Sequence, residues 1–185
     1  TAPFFKFKIG DLNIISNNID ADESLNQQIN SFKKIVGFLN DRLGVYPHEN
    51  LMISRVDLKK HPIYGLNLLP GFLSPFSKEF EYELTVAKNL IRLYLDQYLR
   101  MNPREDYWLK SGLETVLLMD FVDVFYKDQM MLGKLANMWG IKTYNLAKLK
   151  YNEQYQLTYL YMVRTGRDQA LNLHKDELLK SEKNS

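Results

Sequence analysis

No cysteine occurs in this 185-residue chain, which removes disulfides, thiol nucleophiles and cysteine metal sites together. That absence does not fix a compartment, because envelope and secreted proteins often lack cysteine too. Histidine is scarce as well. His48, His61 and His174 stand far apart, and no two have the i, i+4 spacing that lets one helix face chelate a metal. No charge of one sign prevails, since 24 basic side chains against 22 acidic ones leave a net charge of +2. The pairs Lys33-Lys34 and Lys59-Lys60 are too short to make a basic stripe, so no nucleic-acid partner is expected. No apolar run approaches the roughly 20 residues that span a bilayer, so no direct membrane insertion by this segment is expected.

What remains is an ordinary globular composition, 45% hydrophobic and 25% charged, long enough for one well-buried core. Aromatic residues make up 13%, with 12 tyrosines, a content that suits a lined cleft because tyrosine buries its ring and keeps its hydroxyl wet. "FFKFKI" alternates apolar and polar residues, and "LNIISNNI" is rich in branched apolar ones; both read as strands joined by a turn at Gly10-Asp11. Asp20 or Asp22 can cap a helix whose apolar residues run from Leu25 through Phe32, Ile35 and Leu39 to Leu43, with Gly44 as its stop. "NLMISRVDL" reads as a third strand. "HPIYGLNLLPGFLSPF" holds three prolines and two glycines in sixteen residues, so it is loop or edge strand.

From Lys78 the periodicity is helical. One long helix reaches about Met101, and "NPRED" breaks it. Asp106 can cap a second helix to about Tyr126, apolar on most sides and therefore expected to be central and buried. Two further helical segments, 128–139 and 144–165, end at Gly140 and Gly166. A sheet first and helices after it make an α+β order. We expect one domain: about 1–77 sheet-containing with one helix, about 78–172 helical, 173–185 a polar tail. An abrupt start in strand-like sequence and that tail suit a domain cut from a longer chain.

Two segments then fall at a telling interval. "KNLIR" (88–92) lies in the long helix and "YWLKSG" (107–112) opens the next, and eighteen residues separate Arg92 from Ser111. Trp108, Leu109 and Gly112 in that frame resemble the catalytic domain of the alanyl-aminopeptidase family, the gluzincins. Zinc-bearing members carry His-Glu-x-x-His on one helix and, after the same interval, a Glu within Trp-Leu-Asn-Glu-Gly on the next. Histidines at i and i+4 and the later Glu hold zinc there, and the intervening Glu is the general base. In this register Lys88 and Arg92 replace the histidines, Asn89 the base and Ser111 the last ligand. Gly65 and Asn67, after Tyr64, match part of the family's substrate strand, without a Glu to grip a substrate amine. Tyr151 corresponds to the oxyanion-stabilising tyrosine only within a residue or more. Closer still is the likeness to degenerate aminopeptidase-like domains of large bacterial envelope proteins, in Pro62 to Pro70 and Asp106 to Leu109.

The resemblance implies a gluzincin catalytic-domain fold, with no catalytic residue, no metal ligand and no cofactor. It also implies a bacterial cell envelope or periplasm as the setting. The relic positions are Lys88, Asn89, Arg92 and Ser111, and Tyr64, Gly65, Asn67, Trp108, Glu114 and Tyr151 are candidates to line the old groove. Read without the resemblance, the same helix is a core helix whose Lys88 and Arg92 run over their own stems to solvent. A serine–lysine dyad of Ser111 and Lys88 would need a neutral lysine, which nothing nearby favours. Glu114 shares a helix face with Ser111, so Lys88 or Arg92 is expected to pair with it where a metal once joined the helices. The expected function is a catalytically inactive scaffold or protein- or peptide-binding module, with a peptide, a protein or other domains of a parent chain as partners. The alternative is an active zinc aminopeptidase whose site is remodelled or completed from outside.

Overall fold

The computed structural model describes residues 4–17, 25–61, 63, 66, 74–102, 104–143, 145–170, 173, 176 and 177. β1 (Phe5–Ile9) and β2 (Leu12–Ser16) form an antiparallel hairpin with Ile9 opposite Leu12 and Gly10 at φ 57° in the turn. L side chains rarely take that angle, so glycine permits the tight reversal. β2 also pairs in parallel with β3 (Asn50–Ile53), giving a mixed sheet in the order β1-β2-β3. Parallel neighbours need a crossover. Helix α1 (Leu25–Leu43) supplies it. Its candidate caps Asp20 and Asp22 lie outside the described residues.

Alternation decides which side of the sheet is covered. Leu12, Ile14, Leu51 and Ile53 are buried and share one face by register. From α1, Phe32, Ile35, Val36 and Leu39 are buried as well, and Phe7 meets Phe32 edge to face at 5.3 Å between ring centres. Each fully buried side chain of this size contributes about 1.5–3 kcal/mol of transfer free energy.

The expected third strand is shorter than its apolar pattern. It ends at Ile53, because Ser54 begins a helix instead. The Ser54 hydroxyl accepts from Asp57 N–H at 3.2 Å and the Asp57 carboxylate accepts from Ser54 N–H at 3.1 Å, a reciprocal cap that starts α2 (Arg55–Lys60). The Ser54 hydroxyl also donates to the Asp57 carboxylate at 2.6 Å, and this bond first, with that from Ser54 N–H, holds the Asp57 carboxyl below its ordinary range.

The long helix, α3 (Lys78–Tyr98), is capped by the Ser77 hydroxyl, which accepts from Phe80 N–H at 3.2 Å; Glu79 and Glu81 sit at its positive end. It packs on α1 and on α4 (Tyr107–Phe125), and Phe80, Leu84, Leu90, Ile91, Tyr94 and Leu95 are buried along it. Buried Glu83 is satisfied by the Ser31 hydroxyl at 2.8 Å, the Tyr126 hydroxyl at 2.6 Å and the Lys34 ammonium at 2.5 Å.

α4 overturns the expectation of a central helix. Only Glu114, Leu118, Phe121 and Val122 are buried, while Trp108, Leu109, Val116, Val124 and Phe125 are exposed. α3 occupies the middle, so apolar residues on the far side of α4 face outward. Asp106 stands at its N-cap position, but its carboxylate accepts from Asn102 N–H at 2.9 Å and caps nothing in the helix.

The later segments also differ from their periodicity. Residues 128–139 hold a bridge between Met130 and Lys150 and a 3-10 turn, Gly133–Asn137, in place of an α-helix. Gly133 has φ 52°, and a Cβ there would stand 2.3 Å from the Pro75 carbonyl oxygen, so the chain turns where no other residue fits. Residues 144–165 contain a second 3-10 turn, Asn145–Lys148, before α5 (Glu153–Arg164). The class is α+β. Among the described residues no helix is long and apolar enough to cross a membrane.

Candidate functional site

Helical spacing assembles the site. Lys88 and Arg92 are one turn apart on α3, and Ser111 and Glu114 share a face of α4. Where the two helices meet, Arg92 Nη1 lies 3.3 Å from Glu114 Oε2, and the two side chains are 26% and 8% exposed. That is the interhelical pair expected from the sequence. Lys110 on α4 makes a second ion pair with Asp96 on α3, and Arg42 on α1 reaches Asp120 on α4 at 2.6 Å.

Beside this junction is a cleft of about 390 Å³, lined by Lys88 from α3, by Ser111, Glu114 and Leu118 from α4, and by Tyr155, Tyr159 and Met162 from α5. Ile63 and Arg167 are also among its lining residues. Its electrostatics follow from partial burial among unlike charges. Burial lowers the Lys88 pKa, and Arg92 lowers it further, against an opposing pull from Glu114. Burial raises that of Glu114, against the cations Arg92, Lys110 and Lys88. His61 is held near 4, first by burial and then by Arg92 and Lys88. It is neutral at pH 7, and the field it feels is positive. Burial also pushes the Tyr155 hydroxyl up to about 12.

Of the positions singled out from sequence, Lys88, Ser111 and Glu114 line the cleft and Arg92 pairs with Glu114 behind it. Asn89 does not join them. It is buried, and its side-chain amide donates to the Thr85 carbonyl at 2.9 Å within its own helix. Trp108 is 44% exposed in the first turn of α4 and off the cleft wall. Tyr151 is not a wall residue either. Its buried ring sits edge-on to Phe76 at 5.7 Å and Phe80 at 5.0 Å. Its hydroxyl has no hydrogen-bond partner among the described residues, and burial raises its pKa. Tyr64, Gly65 and Asn67 lie outside the described residues.

The sequence reading missed Tyr155, Tyr159, Met162 and Arg167. The first three recur at i, i+4 and i+7, a helical stripe one turn beyond Tyr151 that could have been read as a wall.

A gluzincin zinc needs two imidazoles and a carboxylate at the Lys88, Arg92 and Ser111 positions. Ammonium and guanidinium groups have no lone pair to give, and two such cations repel a divalent ion, so these residues do not fit zinc. Among the described residues no three His, Cys, Asp or Glu side chains gather at one place to hold a metal. Comparison of the chain with protein-family models, with curated proteins and with solved structures found no match.

Proposed function

We propose that this chain is a degenerate gluzincin, an aminopeptidase-like domain that binds a peptide or protein segment in the α3–α4–α5 cleft and does not cleave it. The order of a small sheet followed by helices is compatible with that fold. The observation that carries the reading is the Arg92–Glu114 pair, with Lys88 one turn away on the same helix face. It links the two helices at the register where the family's metal would link them, and it leaves cations in place of ligands. The cleft stays open beside the pair, with tyrosine and methionine walls suited to an apolar chain. A setting within a larger bacterial envelope protein, with neighbouring domains as further partners, follows from the likeness in Pro62 to Pro70 and Asp106 to Leu109. The alternative of an active zinc peptidase has no supporting ligand set among the described residues.

The test has two readouts on one sample. Unblocked peptide pools should remain uncut with or without added zinc, while NMR shifts on peptide addition concentrate on Lys88, Ser111, Tyr155 and Met162. Zinc-dependent cleavage would overturn the reading. So would binding confined to a different face.

A further inference from the structure

Residues 129–151 form a loop that is closed at its base. Met131 N–H donates to the Leu149 carbonyl at 2.9 Å and Tyr151 N–H to the Gln129 carbonyl at 2.8 Å, so the two ends lie side by side. Inside the loop the two 3-10 turns pack on each other, Ala136 and Ala147 are buried, and Lys134 N–H donates to the Pro75 carbonyl at 2.7 Å. The far end is a tight turn. Ile141 N–H and Lys142 N–H both donate to the Met138 carbonyl, at 3.1 and 3.0 Å, and Gly140 takes φ 89°, an angle that suits glycine. This turn leaves Trp139 100% exposed, with Met138 at 52% beside it.

The charge of the loop has one sign. It contains Lys134, Lys142, Lys148 and Lys150 and no acidic residue, although the chain as a whole carries only +2 and the remainder is therefore net acidic. All four lysines are exposed, and among the described residues none of them makes an ion pair. The acidic residues next in sequence, Asp128 and Glu153, flank the base, where the Glu153 carboxylate accepts from Lys150 N–H at 2.5 Å.

We propose that this loop docks on a bilayer surface containing anionic phospholipids, with Trp139 and Met138 entering the headgroup layer and the lysines facing lipid phosphates. The contact is peripheral, and no described helix crosses the bilayer. Tryptophan favours the headgroup level because its ring is apolar while its N–H needs a polar partner. Each lysine held near an anionic leaflet strengthens binding by about five-fold. Nucleic acid fits less well, because the loop has no arginine, the side chain whose planar fork grips phosphate and stacks on bases. A folded acidic protein would need a preformed pocket for a projecting tryptophan, whereas a headgroup layer yields to it.

Trp108→Phe leaves Trp139 as the one tryptophan in the chain, so its emission reports where the tip stands. With vesicles of phosphatidylcholine and about one-third phosphatidylglycerol, this variant is expected to co-sediment and to shift its emission to the blue. Vesicles of phosphatidylcholine alone should bind at least about ten-fold more weakly. Lys142→Gln together with Lys148→Gln should weaken binding to the anionic vesicles at least about ten-fold, and Trp139→Ser should weaken it too. All three side chains are exposed, so the melting temperature should not move. Binding to neither vesicle would overturn the proposal, and equal binding to both would remove the role of charge on which it stands. Anionic-vesicle binding that leaves Trp139 emitting as in water, or that survives these substitutions, would overturn the loop as the docking face. Tighter binding to single-stranded DNA would overturn lipid as the occupant.

Discussion

Arg92 and Glu114 join α3 to α4 through a part-buried ion pair, Nη1 to Oε2 at 3.3 Å, with Glu114 on the wall of the cleft and Arg92 behind it. Such a pair is more costly to halve than to delete, because removing one member leaves the other charge desolvated and alone. Glu114→Gln should therefore lower the unfolding free energy by about 1–3 kcal/mol, below the full cost of a dry pair because Arg92 keeps some contact with water. The double change Arg92→Met with Glu114→Leu should recover most of the loss. Urea unfolding of the two single variants and the double gives the coupling directly. A coupling near zero would mean that the pair does not hold the helices.

Tyr151 separates a structural from a functional tyrosine. Its hydroxyl is buried without a partner among the described residues while its ring packs on Phe76 and Phe80. Removing an unsatisfied hydroxyl relieves a desolvation cost, so Tyr151→Phe is expected to leave the protein as stable or to raise stability by up to about 1 kcal/mol. Tyr151→Ala should cost about 3–5 kcal/mol through the cavity it opens. Thermal unfolding distinguishes them, and a large loss from Tyr151→Phe would show that the hydroxyl is engaged after all.

The Glu83 carboxylate offers the opposite case. With Ser31, Tyr126 and Lys34 all directed at it, it is a buried charge with its partners satisfied. Glu83→Leu strands the Lys34 ammonium and two hydroxyls at once and should cost about 3–5 kcal/mol. Tyr126→Phe removes one hydrogen bond to a charged group and should cost about 1.5–3 kcal/mol. Burial and that bond to Glu83 both raise the Tyr126 pKa, so its ultraviolet titration should begin only in strong alkali.

His61 reports the field of the cleft. Its folded pKa near 4 is below the ordinary 6.5. Between those values the unfolded chain holds a proton that the folded one refuses, so stability falls as pH drops through that window. His61→Asn should flatten this part of the acid limb. Because burial outranks Arg92 and Lys88 among the causes, Lys88→Met should raise the NMR midpoint of His61 only partly toward 6.5. A wild-type midpoint at 6.5 would mean that His61 stands in water, away from both cations.

Much of this arrangement could be read from the chain. The hairpin at Gly10-Asp11, α1 ending before Gly44 and the extents of α3 and α4 follow local periodicity and turn chemistry, as does the approach of Arg92 to Glu114, which needs only i, i+3 and i, i+4 spacing on two adjacent helices. What escaped the sequence depends on tertiary competition. "GLETVLLMDFVDVF" is apolar on most sides, yet α3 had the central place and left Val116 and Val124 outside. The strand expected over 50–58 stopped at Ser54 because one reciprocal cap outweighed β-branched neighbours. Tyr151 and Tyr155 differ by one helical turn and have similar neighbours in sequence; only the packing of Phe76 and Phe80 puts the first in the core and leaves the second on the cleft.

The most direct measurement is the zinc content of purified protein, taken with the melting temperature before and after excess zinc. If an ion pair has taken over the join between α3 and α4, zinc should stay far below one per chain and the melting temperature should not move. About one tightly held zinc per chain, with stability that disappears on adding a chelator, would contradict it.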